Sequence, residues 1–124
     1  MKKDLCEKLY NALKEMGFLN VEYLQFEVVG SKNYMPLVIK KIETNKENDE
    51  IISFKISMCQ YELQNGALMR NTEICIDIIP AVRFAAPYYF SNDLAGIETH
   101  RADYKFMFRW LKNIKEAGYE AKEA

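Results

Sequence analysis

Two neighbouring stretches decide the fold: Ile51-Ile52-Ser53-Phe54-Lys55-Ile56-Ser57-Met58-Cys59-Gln60-Tyr61 and Glu73-Ile74-Cys75-Ile76-Asp77-Ile78-Ile79-Pro80. In the first, Phe54, Ile56 and Met58 alternate with Ser53, Lys55, Ser57 and Cys59. In the second, Ile74, Ile76 and Ile78 alternate with Glu73, Cys75 and Asp77. Successive side chains of a strand point to opposite faces, so each stretch reads as a strand with one apolar and one mixed face. That pattern belongs to antiparallel sheets that pack on one side only. Gln64-Asn65-Gly66 breaks the chain between the two strands, and Pro80 ends the second because it cannot donate to the ladder.

Working towards the N-terminus, Asn45-Lys46-Glu47-Asn48-Asp49 reads as a polar turn. Met35 to Thr44 reads as a strand with one buried face, and Val21 to Val29 as a further strand ending at Gly30-Ser31. Lys3 to Met16 reads as a helix, with Leu5, Leu9, Ala12, Leu13 and Met16 at steps of three and four and Gly17 placed to close it. Towards the C-terminus, Pro87 argues against a central strand through its own position. Val82 to Ala85 and Leu94 to Thr99 read as short edge segments. Asp103 to Ala117 reads as a helix capped by Asp103 and closed by Gly118. One stripe holds Tyr104, Met107, Phe108, Leu111 and Ile114, and a second holds Phe106 and Trp110. Tyr119 to Ala124 reads as a frayed tail. The expected architecture is α+β: an antiparallel sheet of about four to five strands with an N-terminal and a C-terminal helix packed on one face.

The 124 residues are 49% apolar and 28% charged, which suits one core and a single domain over residues 1–124 and excludes disorder as the main description. Seventeen basic residues against eighteen acidic ones leave a net charge of -1. That balance removes the usual electrostatic case for nucleic acid or an anionic membrane. The three cysteines, Cys6, Cys59 and Cys75, are odd in number and lack a paired CxxC spacing. They read as free thiols in a reducing cytosol, with Cys59 and Cys75 on neighbouring strands. The opening Met1-Lys2-Lys3-Asp4-Leu5-Cys6-Glu7 is too charged for the core of a signal peptide, and no run approaches the roughly 20 apolar residues of a membrane helix. The expectation is a cytoplasmic protein with no membrane contact.

Candidate chemistry is sparse. No phosphate-cradling glycine loop or nucleophile elbow is present. Asp93, Glu98 and His100 are the residues from which a metal-dependent enzyme site can be drawn, but their spacing is irregular. A Cys–His pair would need His100 beside Cys59 or Cys75. No catalytic residue, no metal and no cofactor are therefore expected. Two surface features stand above this background. Arg101, Lys105, Arg109 and Lys112 form a basic stripe on the last helix, open to phosphates or an acidic partner and otherwise a solvated face. Tyr88, Tyr89, Phe90, Phe106 and Trp110 form an aromatic surplus, either a partner-binding surface or a lid on the protein's own core.

Gln64-Asn65-Gly66-Ala67-Leu68-Met69-Arg70-Asn71-Thr72-Glu73 resembles a QNGDxMRDPE-like signature, and Pro87-Tyr88-Tyr89-Phe90-Ser91-Asn92-Asp93-Leu94-Ala95-Gly96 resembles a P-x-Y-x-x-N/Q-D-x-x-G signature. Asn33-Tyr34-Met35-Pro36-Leu37 and Trp110 to Tyr119 fit the same pattern. Over roughly residues 33–119 the chain is similar to a bacterial domain-of-unknown-function family carried on plasmids, conjugative elements and phages. The resemblance implies a context without an assigned activity. It singles out Gln64, Asn65, Gly66, Glu73, Asn92, Asp93 and Gly96 as loop-signature residues, with Gly66 and Gly96 allowing positive φ and Asn65 and Asp93 bonding to nearby backbone. The pattern has histidine where Gln60 stands, acids at Leu63 and Ala67, and Asp-Pro at Asn71-Thr72. The leading expectation is a non-enzymatic accessory or anti-defence factor of a mobile element that binds another protein. The alternatives are a nucleic-acid accessory protein using the basic stripe and a small metal-dependent enzyme around Asp93, Glu98 and His100. A homodimer through the last helix is compatible with all three.

Overall fold

A computed structural model describes residues 2–20, 23–28, 35–101 and 103–122. The order is α1 (Lys2–Glu15), β1 (Tyr23–Val28), β2 (Leu37–Glu47), β3 (Glu50–Gln64), β4 (Ala67–Ile79), a 3-10 turn (Pro80–Val82), β5 (Phe84–Asn92), β6 (Ile97–Thr99), α2 (Tyr104–Ala117) and β7 (Tyr119–Lys122). The strands form one antiparallel sheet in the order β6-β5-β4-β3-β2-β1-β7. The α+β class is as expected. The sheet has seven strands among the described residues rather than four to five, for reasons that lie in its edges and turns.

Pairing is set by the alternation that begins the sequence reading. Phe54, Ile56 and Met58 lie opposite Ile78, Ile76 and Ile74, and Ile39 lies opposite Met58. These side chains are almost fully buried, and one continuous cluster joins them to Leu9 and Leu13 of α1 and to Met107, Trp110, Leu111 and Ile114 of α2. Burying each such side chain contributes about 1.5–3 kcal/mol. The other face carries Lys55, Ser57 and Cys59 opposite Asp77, Cys75 and Glu73.

Four expectations need correction. The turn expected at Asn45–Asp49 contracts to Asn48-Asp49, both at positive φ, because a two-residue loop of that handedness matches strand twist. β2 and β3 therefore run on past their neighbours as a two-stranded ribbon. β5 does run through Pro87: β6 pairs only with Phe90–Asn92, so β5 is an edge strand at the proline, beside a bulge at Tyr88. Of the two expected edge segments, Leu94 to Thr99 contains β6 at Ile97–Thr99, whereas Val82 to Ala85 runs from the end of a helical turn at Val82 into the start of β5 at Phe84. The tail is not frayed over Tyr119–Lys122. Gly118, at φ 75, turns the chain out of α2 and lays β7 beside β1. Asp103 caps α2 as expected, accepting the Phe106 N–H at 2.9 Å. Gly17 closes α1 at φ 80. Of the expected strand Val21 to Val29, Tyr23–Val28 is seen. Val21, Glu22, Val29, the turn Gly30-Ser31, and the signature residues Asn33 and Tyr34 lie outside the described residues.

No helix among the described residues is long and apolar enough to cross a membrane.

Candidate functional site

The face of the sheet that carries Ser57, Cys59, Glu73 and Cys75 holds the densest polar network among the described residues. Its middle is built from small residues: Ser57 and Ser91 are 2% and 3% exposed, and Cys59 and Cys75 are equally buried. Longer side chains close over them. Ser57 Oγ donates to Glu73 Oε2 at 2.8 Å, and Arg70 Nη1 donates to Glu73 Oε1 at 2.8 Å. The same guanidinium grips Asp93 with two bonds, from Nε to Oδ2 at 2.9 Å and from Nη2 to Oδ1 at 3.3 Å. Lys55 pairs with Asp77 and lies 4.8 Å from the centre of the Tyr88 ring. Ser91 Oγ, which the register puts beside Glu73, has no hydrogen-bond partner among the described residues.

This arrangement brings the two loop signatures together. Asn65 and Gly66 form the β3–β4 turn, both at positive φ, and Gly96 turns β5 into β6, also at positive φ. Asn65 and Gly66 are exposed and Gln64 is half-buried at the tip of the hairpin. Asn71 is the extra residue of a bulge between Gln60 and Tyr61. Its amide donates to Glu62 at 3.2 Å and its carbonyl accepts from Thr72 at 3.1 Å and Asn92 at 3.4 Å. The residue that caps the β5–β6 turn is Asn92, which accepts the Ala95 N–H at 3.0 Å. The Asp93 carboxylate, expected to bond to nearby backbone, instead pairs with Arg70 across strands. At the positions that depart from the family pattern, Gln60 bonds to the Tyr119 hydroxyl, while Leu63 and Ala67 are exposed at the hairpin end.

The reactive groups are held in their protonated forms. Burial pushes the Cys59 thiol up to about 11, partly offset by a hydrogen bond from Tyr61, and burial pushes the Tyr61 phenol up to about 12. Cys75 is raised by burial and then by Glu73, and Tyr88 is raised by burial. A thiol with a raised pKa is a poor nucleophile at neutral pH. Cys59 and Cys75 sit on adjacent strands but diagonally, since Cys59 faces Glu73 and Cys75 faces Ser57.

The remaining sequence candidates separate. His100 lies 3.5 Å from Glu98 and packs edge-on against Tyr89, while Asp93 is held by Arg70. Among the described residues no group of three His, Cys, Asp or Glu side chains is placed to hold a metal. The aromatic surplus divides between faces. The extra residue at Tyr88 puts Tyr88 and Tyr89 beside the polar network, while Phe90 packs against Phe106 at 4.8 Å on the core side. Trp110 is 6% exposed and belongs to the core, so it is no part of an exposed surface. Both stripes of α2 pack on the one core cluster, with Trp110 buried in it and Phe106 partly buried against Phe90. Arg101, Lys105, Arg109 and Lys112 are all exposed.

Ser57, Arg70, Ser91 and the Lys55–Asp77 pair did not stand out from the sequence as a site. The available signal was their alternation: all but Arg70 stand at outward positions of recognised or adjoining strands, and Arg70 lies within the quoted signature.

The family model described as Domain of unknown function (DUF6908) matches residues 4–120. The chain belongs to that family. The match takes in α1, the whole network and the start of β7, and so extends beyond the segment that carries the loop signatures. No curated protein and no solved structure matches the chain.

Proposed function

We propose that this member of the DUF6908 family is a non-enzymatic accessory or anti-defence factor of a mobile genetic element. In this reading it works in the cytoplasm by binding another protein with the polar, tyrosine-lined face of its sheet, while both helices pack on the opposite face. The observation that carries the reading is the pairing of the charges at the centre of that face. Asp77 is paired with Lys55, Glu73 and Asp93 are paired with Arg70, burial raises the Cys59 thiol and the Tyr61 phenol, and what remains to meet a partner is a row of tyrosines, Tyr23, Tyr61, Tyr88 and Tyr89, set among short polar side chains. Tyrosine gives large contact area at low conformational cost, and a hydrogen-bonded sheet holds it rigidly. β3 is 15 residues long, about 50 Å of strand. Five strands add about 20 Å of width, which accommodates a standard interface of about 800 Å² per partner. The mobile-element setting rests on the loop signatures.

The test is a photocrosslinking residue placed at Lys40, on this face, and in a parallel sample at Arg109, on the helical side. The expected result is one protein crosslinked in stoichiometric yield from Lys40 and lost on Tyr23→Ala with Lys55→Glu. A purified protein that turns over a substrate, with no crosslinked partner at Lys40, would contradict the reading.

A second reading, nucleic-acid binding through Arg101, Lys105, Arg109 and Lys112, draws support from the exposure of all four and the lack of any ion-pair partner for them among the described residues. It is disfavoured by the exposed Glu116, which continues the row with opposite sign. Loss of oligonucleotide binding even at low salt removes it.

A further inference from the structure

α1 and α2 lie side by side and run the same way: Cys6 meets the Tyr104 hydroxyl at 2.9 Å, and Lys8 lies 5.2 Å from the centre of the Phe108 ring. Towards their C-terminal ends a cavity of about 600 Å³ lies between them. Small-molecule sites have volumes of about 300–1,000 Å³. The buried side chains of Phe18, Phe26, Leu111 and Ile114 line its depth, and the half-buried Met16, Phe108 and Tyr119 line its sides. The Tyr119 hydroxyl already accepts a hydrogen bond from the Gln60 amide. The charged residues of the lining are Glu15, Lys112 and Lys115, and all three are exposed, which places them at the mouth. Lys14 and Glu116, also exposed, are no part of the lining. Lys112 and Lys115 have no ion-pair partner among the described residues. The mouth therefore carries two unpaired cations against one acid, over an apolar interior.

We propose that this cavity binds a medium-chain aliphatic carboxylate, its chain between the helices and its carboxylate between Lys112 and Lys115. Burial of the chain drives binding, since each methylene taken from water contributes about 0.8 kcal/mol. The lysines select the head group, because an ammonium donates a charge-assisted hydrogen bond to a carboxylate and has none to offer a cation. Bare carbonyls at a helix C-terminus would repel an anion. Here the turns that close the helices already occupy them: Gly17 and Phe18 N–H bond to Lys14 and Leu13 O, both at 3.0 Å, and Gly118 N–H bonds to Lys115 O at 3.4 Å. From Phe108 to Lys115 α2 rises about 10 Å, the reach of a chain of that class. The tyrosine-lined face lies on the other side of the sheet, so this site stands or falls separately from the function proposed above.

Isothermal titration calorimetry of the full chain with decanoate, kept below micelle formation, tests it. One decanoate should bind per chain, octanoate about tenfold more weakly for its two missing methylenes, and decanol at least about tenfold more weakly for its missing charge. Lys112→Glu with Lys115→Glu, both on exposed positions, should weaken decanoate at least about tenfold and leave decanol unchanged. Ala12→Phe, which fills the cavity from α1, should abolish binding of both, with circular dichroism checking that each variant is folded. No binding of decanoate, equal affinity for decanoate and decanol, binding unmoved by the lysine reversals, or binding that survives in folded Ala12→Phe would overturn the proposal.

Discussion

Arg70 is the side chain on which the candidate site turns. It spans Glu73 on its own strand and Asp93 just after β5, and together with the Asn92–Asn71 hydrogen bond it joins the two signature loops. Arg70→Ala leaves Glu73, 16% exposed at its side chain, with only the Ser57 hydroxyl as a charge-stabilising partner. Because the guanidinium itself is 44% exposed, the expected loss is modest, about 1 kcal/mol, and smaller at high salt. Urea unfolding at two ionic strengths measures both. Cys59 governs the alkaline limit. Its folded pKa lies above the usual thiol value, so its contribution is fully present below about pH 9 and is lost as pH rises through about 11. Cys59→Ala should flatten the decline in stability between pH 9 and 11, read by thermal unfolding against pH. A decline of equal steepness in the variant would assign it to Tyr61 or another group.

Among the elements, the closing strand depends on one glycine. Gly118 adopts φ 75 with open space around the position a Cβ would take, so Gly118→Ala is penalised by backbone conformation alone. The expected cost is about 1 kcal/mol. Amide exchange should show β7 and its partner strand β1 losing protection before β3 and β4. Equal protection across the sheet would contradict that order. At this scale the sequence was most readable where period and packing agree. The alternating isoleucines of β3 and β4 and the capped, glycine-closed α2 announce themselves through local chemistry. β5 and β7 did not, because an edge strand tolerates Pro87 and a four-residue strand carries too few side chains for any period to show. The candidate site was legible only in pieces. Glu73, Asn92 and Asp93 came from the loop signatures, but Ser57 and Arg70 join them through register and bulges, which no local pattern encodes.

For the whole molecule, the division of labour between the two faces of the sheet is the main result. Ile56, Ile74, Ile76 and Ile78 share one buried cluster with residues of both helices, and Ile76→Ala should cost about 2–5 kcal/mol in chemical denaturation without altering the opposite face. On that opposite face Lys55 pairs with Asp77, Arg70 pairs with Glu73 and Asp93, and tyrosines line the surface, which supports the binding role proposed above. Crosslinking from Lys40 compared with Arg109, in cells that carry the protein's native partners, tests this most directly. One protein attached at Lys40 and released by Tyr23→Ala with Lys55→Glu is the predicted result. A partner attached only at Arg109, or a substrate consumed by the purified protein with nothing attached at Lys40, would contradict it.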